Sequence, residues 1–326
     1  MKTIWSSIPA LIVIGAVLIP LGVYAILGVG EKLLTGLNAT RARRWRPWLW
    51  LSMPLLIVGV ILIYPLVVTI FYAFRNAKSS DWVGFKNFTW AFSGDMVGVI
   101  SNSLLWLVAL PVGTVLLALT AAVLFDRVKY ERLAITIVLL PTAISFTAAS
   151  IIWRQLYSYQ PPGQTQLGLL NAVVMLIPGT EPVAWLQTPL VNSLCLIFVA
   201  LWATIGVATL IVSAAVKNVP QELAEAATLD GAGPWRILFT ITLPMIVPAL
   251  LVVLTTAAIF ALKVFDIVFV MTNGNFGTDV VANRMYAELF TTNHLGHASG
   301  IAVILLIVAM PIALINMRQF QREAAK

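Results

Sequence analysis

The side chains best suited to binding another protein lie in a short polar segment of an otherwise very apolar chain. Glu222 and Glu225 flank one predicted helical face, which the i, i+3, i+4 spacing assigns to Leu223, Ala226 and Ala227. Small alanines at the centre of a face let a second surface approach closely, and the carboxylates offer that surface charged partners. The segment therefore predicts a docking surface. An ordinary connecting loop is the alternative.

Helix-start and helix-stop signals divide this segment, residues 222–244, into two parts. Pro220 presets a backbone angle that suits a helix start, and Gln221 adds an acceptor near the unpaired N–H groups of the first turn. Gly231 permits the left-handed conformation that ends many helices, and Pro234 then starts the next one. The pattern predicts two short helices joined by a tight turn.

The spacing of the segment resembles the signature loop of the integral-membrane permease subunits of ATP-binding-cassette importers. That family's pattern is Glu-Ala-Ala, three residues, Gly, nine residues, Ile, one residue, Leu-Pro. Every position is filled here, by Glu225, Ala226, Ala227, Gly231, Ile241, Leu243 and Pro244. The resemblance implies that the loop faces the cytoplasm and docks into a cleft of a separate ATPase subunit. The ATPase-coupling residues expected from it are Glu222, Glu225, Ala226, Ala227, Asp230 and Gly231.

Smaller motifs spread over residues 50–320 narrow the resemblance. They are Tyr64-Pro65, Gly84-Phe85-Lys86-Asn87-Phe88, Leu140-Pro141, Gly168 with Asn171, Trp185, Trp202, Phe265-Asp266 and Met271-Thr272-Asn273-Gly274. Together they resemble carbohydrate importers, above all the maltose and α-glucoside permeases of the maltose-transporter "F" type. The resemblance implies import of oligosaccharides such as α-glucosides, with a second homologous permease, an ATPase subunit dimer and an extracytoplasmic sugar-binding protein as partners. A glycerol-phosphate or polyol permease of the same family is the alternative.

The same resemblance implies a sugar path between two permeases, along the spans that flank the loop and the span beginning Leu140-Pro141. A sugar offers hydroxyls and flat apolar faces, so its path needs hydrogen-bonding groups beside aromatic or aliphatic surfaces. The candidates are Thr142, Ser145, Phe146, Trp202, Thr204, Thr255, Thr256, Phe260 and Lys263. Where maltose permeases carry asparagine, serine and tyrosine, this chain mostly has Ala200, Val207, Ala257, Ala261 and Val264, which argues against maltose itself. Hydroxyls bonded to their own helix backbone are the alternative role.

Lys263 is an ionisable residue within a predicted apolar span. A charge there costs about 2.5–3.5 kcal/mol on insertion scales unless it finds a partner or water. Asp266 follows three residues later and would share its helical face. The pair could line the sugar path, or it could lock the helix against a neighbour or lie near the outer surface.

Signs of catalysis are missing from the sequence. It has no Gly-x-x-x-x-Gly-Lys-Ser/Thr phosphate loop, so ATP and Mg²⁺ are expected on a partner ATPase and no cofactor on this chain. No serine or cysteine lies in a sequence pattern typical of a catalytic nucleophile, and no catalytic residue or metal site is predicted. His294 and His297 are expected to be solvated loop residues rather than metal ligands. An ion-coupled secondary transporter would need carboxylates within its spans, where only Asp266 is found.

The elements that must position these residues are membrane spans. A mean hydropathy of +0.95, with 60% hydrophobic and 10% charged residues, excludes a soluble domain. Apolar stretches of about 20 residues indicate seven spans, near 8–29, 49–73, 102–125, 133–153, 190–216, 245–272 and 299–316. The predicted fold is an all-α polytopic transmembrane bundle of the type I importer permease kind. Cys195, the single cysteine, is expected to be a free buried thiol.

Charge distribution predicts the orientation. If the carboxyl terminus is cytoplasmic, thirteen lysines and arginines fall in inner segments and six in outer ones, as the positive-inside rule requires. This topology also places the 217–244 coupling loop inside, in a multi-pass protein of the cell membrane. Residues 1–48 are predicted to form a retained first span and a basic cytoplasmic connection, and residues 49–326 the permease domain. The net charge of +7 could suggest nucleic acid, but the basic residues lie at membrane borders and are expected to touch anionic lipid, with no nucleic-acid partner.

Overall fold

A computed structural model of the chain describes residues 21–22, 24–25, 27–36, 38–126 and 128–324, with side chains as far as Met317. Helices dominate these residues, and the only β-type pairing within them is an isolated antiparallel bridge. The labelled helices are α1 Ala39–Tyr72, α2 Lys86–Trp90, α3 Met96–Phe125, α4 Glu131–Ala143, α5 Phe146–Leu156, α6 Leu169–Val174, α7 Val191–Lys217, α8 Gln221–Leu229, α9 Pro234–Leu262, α10 Asp266–Met271, α11 Val281–Phe290 and α12 Leu295–Ala324.

Five of these helices, α1, α3, α7, α9 and α12, are long and apolar enough to cross a membrane. The bent pair α4 and α5 raises the number to six if the two count as one span. The all-α polytopic fold is thereby confirmed, and about seven spans is consistent with it. The predicted span near 8–29 lies largely outside the described residues.

The chain divides into two compact units, Met1–Thr69 and Ile70–Lys326. In the first unit, Glu31 accepts hydrogen bonds from Arg46 at 3.0 Å and Trp50 at 2.9 Å, tying the helical residues 27–35 to α1. The pKa of Glu31 lies below its ordinary value because Trp50, and less strongly Arg46, stabilise its carboxylate. The domain boundary expected at residue 48 falls within the continuous helix α1.

Small residues allow the helices of the second unit to pack closely. Ala118 and Ala122 of α3 and Ala208 of α7 are buried together with Ile246 and Val253 of α9. Lipid tails are as apolar as the helix surfaces, so close packing of small side chains supplies the association that water would drive in a soluble protein. A second cluster around α7 contains Cys195, which is free and buried as predicted.

The predicted span 133–153 is wrong as a single helix. It consists of α4 and α5, bent by 98° at a short break. Ile144 is extended, and Ser145 caps α5 by accepting a hydrogen bond from the Ala148 N–H at 3.2 Å. Val138 and Leu139 of α4 lie against Gly206 of α7, where the missing side chain leaves room for the backbone of α4.

The helix boundaries after the polar loop also differ from the prediction. Pro234 does not start a second short helix, because α9 runs from Pro234 through a π-helical segment, Leu238–Thr242, as far as Leu262. The predicted span 245–272 is therefore shifted. The chain leaves the helix at Lys263 and re-enters one at Asp266, which begins α10.

Lys263 and Asp266 consequently do not share a helical face. Both side chains are exposed, and the described residues contain no ion pair between them. Ending α9 at Lys263 places both charges at a helix break rather than inside an apolar helix, which relieves the cost of burying them.

Contacts define two ends of the bundle. At one end Lys217 of α7 forms an ion pair with Glu131 of α4, close to where α8 follows in the chain. At the opposite end the Asn102 amide of α3 donates to the Asp279 carbonyl at 2.9 Å. The end that contains Lys217 is called the α8 end, and the end that contains Asn102 is called the opposite end.

The two histidines, at the opposite end, are not the solvated loop residues expected. His297 stacks between Trp90 at 3.6 Å and His294 at 3.4 Å between ring centroids. Its Nδ1 lies 3.2 Å from Oε2 of Glu288, a carboxylate that also accepts a hydrogen bond from Thr292 at 3.0 Å. Stacking and this carboxylate satisfy the rings, and the described residues contain no group that could hold a metal ion.

Candidate functional site: an exposed helix and a central cavity

The loop helix α8 has a well-defined end. The Gly231 N–H donates to the Thr228 carbonyl at 3.0 Å and the Ala232 N–H to the Ala227 carbonyl at 2.9 Å. This pair of bonds is the Schellman motif, which needs a left-handed residue just beyond the helix. Gly231 supplies it with φ +80°, so the stop signal read from the sequence is confirmed.

None of the residues of α8 is buried within the chain. The six coupling residues predicted from the sequence all lie on or next to this helix, and all but the half-buried Ala227 are exposed. Apolar neighbours are exposed with them, since Leu229 is 90% and Trp235 73% accessible. A short helix with large apolar side chains open on its surface offers a docking face for another molecule.

Between α3, the bent pair α4 and α5, α7 and α9 lies a cavity of about 290 Å³, here called the central cavity. It lies near the middle of α3 and α7 and along the second half of α9. The side chains that line it are Leu110, Thr114, Thr142, Phe146, Ala203, Thr204, Val207, Ala208, Ile211, Val253, Thr256, Ala257 and Phe260. Five of the predicted path residues, Thr142, Phe146, Thr204, Thr256 and Phe260, lie on four different helices and converge on this cavity.

The cavity combines hydroxyls with aromatic surface. Phe146 and Phe260 lie 4.8 Å apart between ring centroids at 41°. Thr142 donates to the Leu139 carbonyl and Thr204 to the Ala200 carbonyl, both at 2.7 Å, so the predicted bonding back to the helix occurs at these positions. A hydroxyl that donates to the backbone keeps lone pairs to accept a ligand hydroxyl.

Thr256 is different from the other cavity threonines, because it has no hydrogen bond to another described residue and can both donate and accept. Among the residues that the structure describes, no charged side chain lines the cavity. An anion there would lack a counter-charge from this chain, whereas a neutral ligand with hydroxyls and apolar faces matches the wall.

The remaining predicted path residues lie elsewhere. Ser145 is the cap of α5, and Trp202 packs against Trp153 at 5.5 Å instead of facing the cavity. Thr255 is buried and bonded to the Leu251 carbonyl at 2.8 Å. Lys263 lies beyond the end of α9 and outside the cavity lining.

Sequence reasoning missed two positions that shape the cavity. Thr114 lines the cavity from α3, a helix that was not among the spans predicted to form the sugar path. Its hydroxyl donates to the Leu110 carbonyl at 2.8 Å. Gly206 fixes the distance between α7 and α4. A threonine or a glycine within an apolar run was the only available signal, and such residues are common in spanning helices.

A bundle of spanning helices with a central cavity and an exposed, glycine-terminated helix at one end defines a polytopic membrane protein of the transporter class. The chain belongs to the family of binding-protein-dependent transport system inner membrane components, whose sequence profile matches residues 114–321. It is thus a permease component of an importer, as the loop spacing predicted.

Individual relatives agree with this assignment. The osmoprotective compounds uptake permease protein GgtC of Synechocystis sp. is 45% identical over 276 residues, 84% of this chain and 99% of that one. The alpha-glucoside transport system permease protein AglF of Rhizobium meliloti is 38% identical over 289 residues, 88% and 86% of the two chains. A chain in the crystal structure of a bacterial transporter that imports the acidic polysaccharide alginate superposes with a TM-score of 0.73 at 25% identity, covering 87% of this chain and 99% of that one.

Proposed function

We propose that the chain is one of two unlike permease subunits in an ATP-driven importer for neutral sugars, such as α-glucosides. The observation that carries this proposal is the combination of the exposed helix α8 with an uncharged, hydroxyl-lined and aromatic central cavity in one chain. The relatives named for α-glucosides and for osmoprotective compounds support the substrate class.

The substrate would cross through the central cavity. Thr142, Thr204 and Thr256 would exchange hydrogen bonds with sugar hydroxyls, while Phe146 and Phe260 face the apolar side of the ring. A glycerol-phosphate permease, the alternative within the family, fits less well, because no positively charged side chain in the described part of the chain lines the cavity to offset a phosphate. Uptake of a neutral polyol shares the same chemistry and is part of the proposal.

The free energy that drives transport would come from subunits other than this chain. ATP and Mg²⁺ bind a dimer of separate ATPase subunits, whose closure moves α8 through contacts at Glu222, Glu225, Ala226, Ala227, Asp230 and Gly231. The helices flanking α8 then alternate the access of the central cavity between the two sides of the membrane. This chain performs no catalysis of its own.

The remaining partners and the orientation follow from the same proposal. A second homologous permease completes the path, and an extracytoplasmic sugar-binding protein delivers substrate to the end of the bundle opposite α8. The family's dependence on binding proteins supports that partner. The coupling loop and the carboxyl terminus lie in the cytoplasm, as the distribution of lysine and arginine favours.

Reconstitution of the complete complex in proteoliposomes tests the proposal. We expect ATP-dependent uptake of a radiolabelled neutral α-glucoside and none of glycerol 3-phosphate. Gly231→Val forces a β-branched residue to φ +80°, at a cost of about 1–2 kcal/mol or more, and should open the end of α8 and uncouple transport. Glu225→Lys reverses a charge on the docking face and should do the same.

Gly233→Val is the matched control for the glycine, since Gly233 has φ −72° and open space where a Cβ atom would lie. It should retain uptake. Normal coupling in both Gly231→Val and Glu225→Lys would refute the role of α8, and uptake driven by an ion gradient without ATP would refute the importer itself.

A further inference from the structure

A second cavity lies at the opposite end of the bundle from α8, between α10, the turn that follows it, and α11. Its volume is about 540 Å³, larger than that of the central cavity. We call it the Asp279 cavity. The lining residues that matter for its chemistry are Phe269, Asn273, Asp279, Asn283, Arg284 and Tyr286. None of them belongs to the path predicted from the sequence.

The spanning helices hold this cavity in place. The Asn102 amide of α3 donates to the carbonyls of Gly277 and Asp279, and the Asn192 amide of α7 donates to the Phe276 carbonyl at 2.8 Å. Asn192 is buried, at 1% exposure. The turn is thus anchored by two helices, and its polar groups are preorganised rather than free in solvent.

The polar side of the cavity is a connected set of groups. Asp279 accepts from Arg284 Nε at 2.9 Å and from Asn283 Nδ2 at 2.8 Å. Asn283 is only 3% exposed, and its amide oxygen has no hydrogen-bond partner in the described part of the chain. Asn283 therefore supports the Asp279 carboxylate from a buried position, and the polar groups open to a molecule in the cavity are the partly exposed side chains of Asp279 and Arg284.

Aromatic rings also line the Asp279 cavity. Tyr286 lies 5.1 Å from Phe269 and 4.7 Å from Phe290 between ring centroids, and all three rings line the cavity. Flat apolar surface beside hydrogen-bonding groups suits a pyranose ring, whose C–H face can lie on the rings while its hydroxyls reach the polar groups.

We propose that the Asp279 cavity binds one ring of a neutral sugar, as a recognition subsite separate from the central cavity. The Asp279 and Arg284 charges cancel, so the site carries no net charge to attract an anion or a cation. Asp279 accepts from ring hydroxyls, and Arg284 donates to them. The substrate class rests on the proposed function, whereas the site itself rests on the geometry.

Cysteine protection tests the subsite. In the complete complex in nanodiscs, Asn273→Cys places a thiol on the cavity wall, and Asn293→Cys places one at a matched control position. Asn273 and Asn293 are both exposed asparagines at positive φ, and Asn293 does not line the cavity. Cys195 is buried and should stay unlabelled.

Trehalose, sucrose or maltotriose, added without binding protein, should slow maleimide labelling of Asn273→Cys about tenfold at about ten times the dissociation constant, and leave Asn293→Cys unchanged. Tyr286→Ala in the same background should abolish the protection, and Tyr286→Phe should retain it. Trehalose 6-phosphate should protect less than trehalose.

The outcomes separate the two proposals. If ATP-driven sugar uptake proceeds but none of the three sugars protects Asn273→Cys, the subsite is refuted and the proposed function stands. If sugar-free binding protein protects the position and free sugar does not, the cavity is a protein-docking surface and the subsite is also refuted. If protection occurs but no sugar is transported, the proposed function fails alone.

Discussion

Replacing Gly206 by alanine should disturb the central cavity through a single added methyl group. A Cβ atom at Gly206 would lie 2.6 Å from both the Cα atom of Leu139 and the carbonyl oxygen of Val138. Carbon atoms in contact prefer about 3.5–4.0 Å, so α4 and α7 must separate by about 1 Å at this point. Overpacking of this kind costs about 1–3 kcal/mol.

The obstructing atoms belong to the backbone of α4, so no side-chain rotation can relieve the contact. The displacement would carry Thr142, in the last turn of α4, and Phe146, at the start of α5, away from the cavity wall. We therefore expect Gly206→Ala to lower both the melting temperature and sugar uptake.

Gly113→Ala is the matched control. Its Cβ atom would meet only the methyl groups of Leu201 at 3.2 Å, and the end of a flexible side chain can move aside. Cys195 provides the assay, because a thiol-reactive fluorophore reports unfolding when this single, buried cysteine becomes accessible. Equal melting temperatures and uptake rates for Gly206→Ala and Gly113→Ala would refute the close contact between α4 and α7.

Two further predictions concern other side chains. Thr256→Val should lower sugar uptake about two- to tenfold, because it removes a hydrogen bond to the substrate worth about 0.5–1.5 kcal/mol, and it should leave the melting temperature unchanged. Thr120→Val is the control, since Thr120 lies outside the cavity lining, and equal uptake by the two variants would contradict this prediction. Glu288→Leu removes the carboxylate that lies beside His297 Nδ1 and should destabilise the fold by about 1–3 kcal/mol, although the Thr292 hydroxyl keeps its hydrogen bond to the backbone carbonyl of residue 288. Glu288→Gln keeps an acceptor and should destabilise the fold less, and equal melting temperatures of the two variants would contradict this.

The ends of α8 could be predicted from the sequence because they depend on local chemistry. Gly231 ends the helix wherever α8 lies in the fold, since only the conformation of its own backbone is involved. The approximate positions of the long helices could also be predicted, because hydropathy over about 20 residues depends only on composition and not on which helices pack together.

The break between α4 and α5 could not be predicted in this way. Residues 140–145 read as part of an apolar stretch, and the capping bond from Ala148 to Ser145 is visible only once the chain has bent. The end of α9 at Lys263 could not be predicted either, because hydropathy averaged over about 20 residues does not detect a single position at which the chain leaves the helix.

The sequence by itself determined that this chain is an all-helical membrane protein with an importer-type loop, and it named the threonines and phenylalanines from which a sugar path could be built. Only the tertiary structure decided which of them meet, bringing Thr142, Thr204 and Thr256 to one cavity and leaving Trp202 and Lys263 outside it. The reason is physical. A spanning helix is apolar all around, so no amphipathic stripe marks its inward face, and that face is set by packing against neighbouring helices.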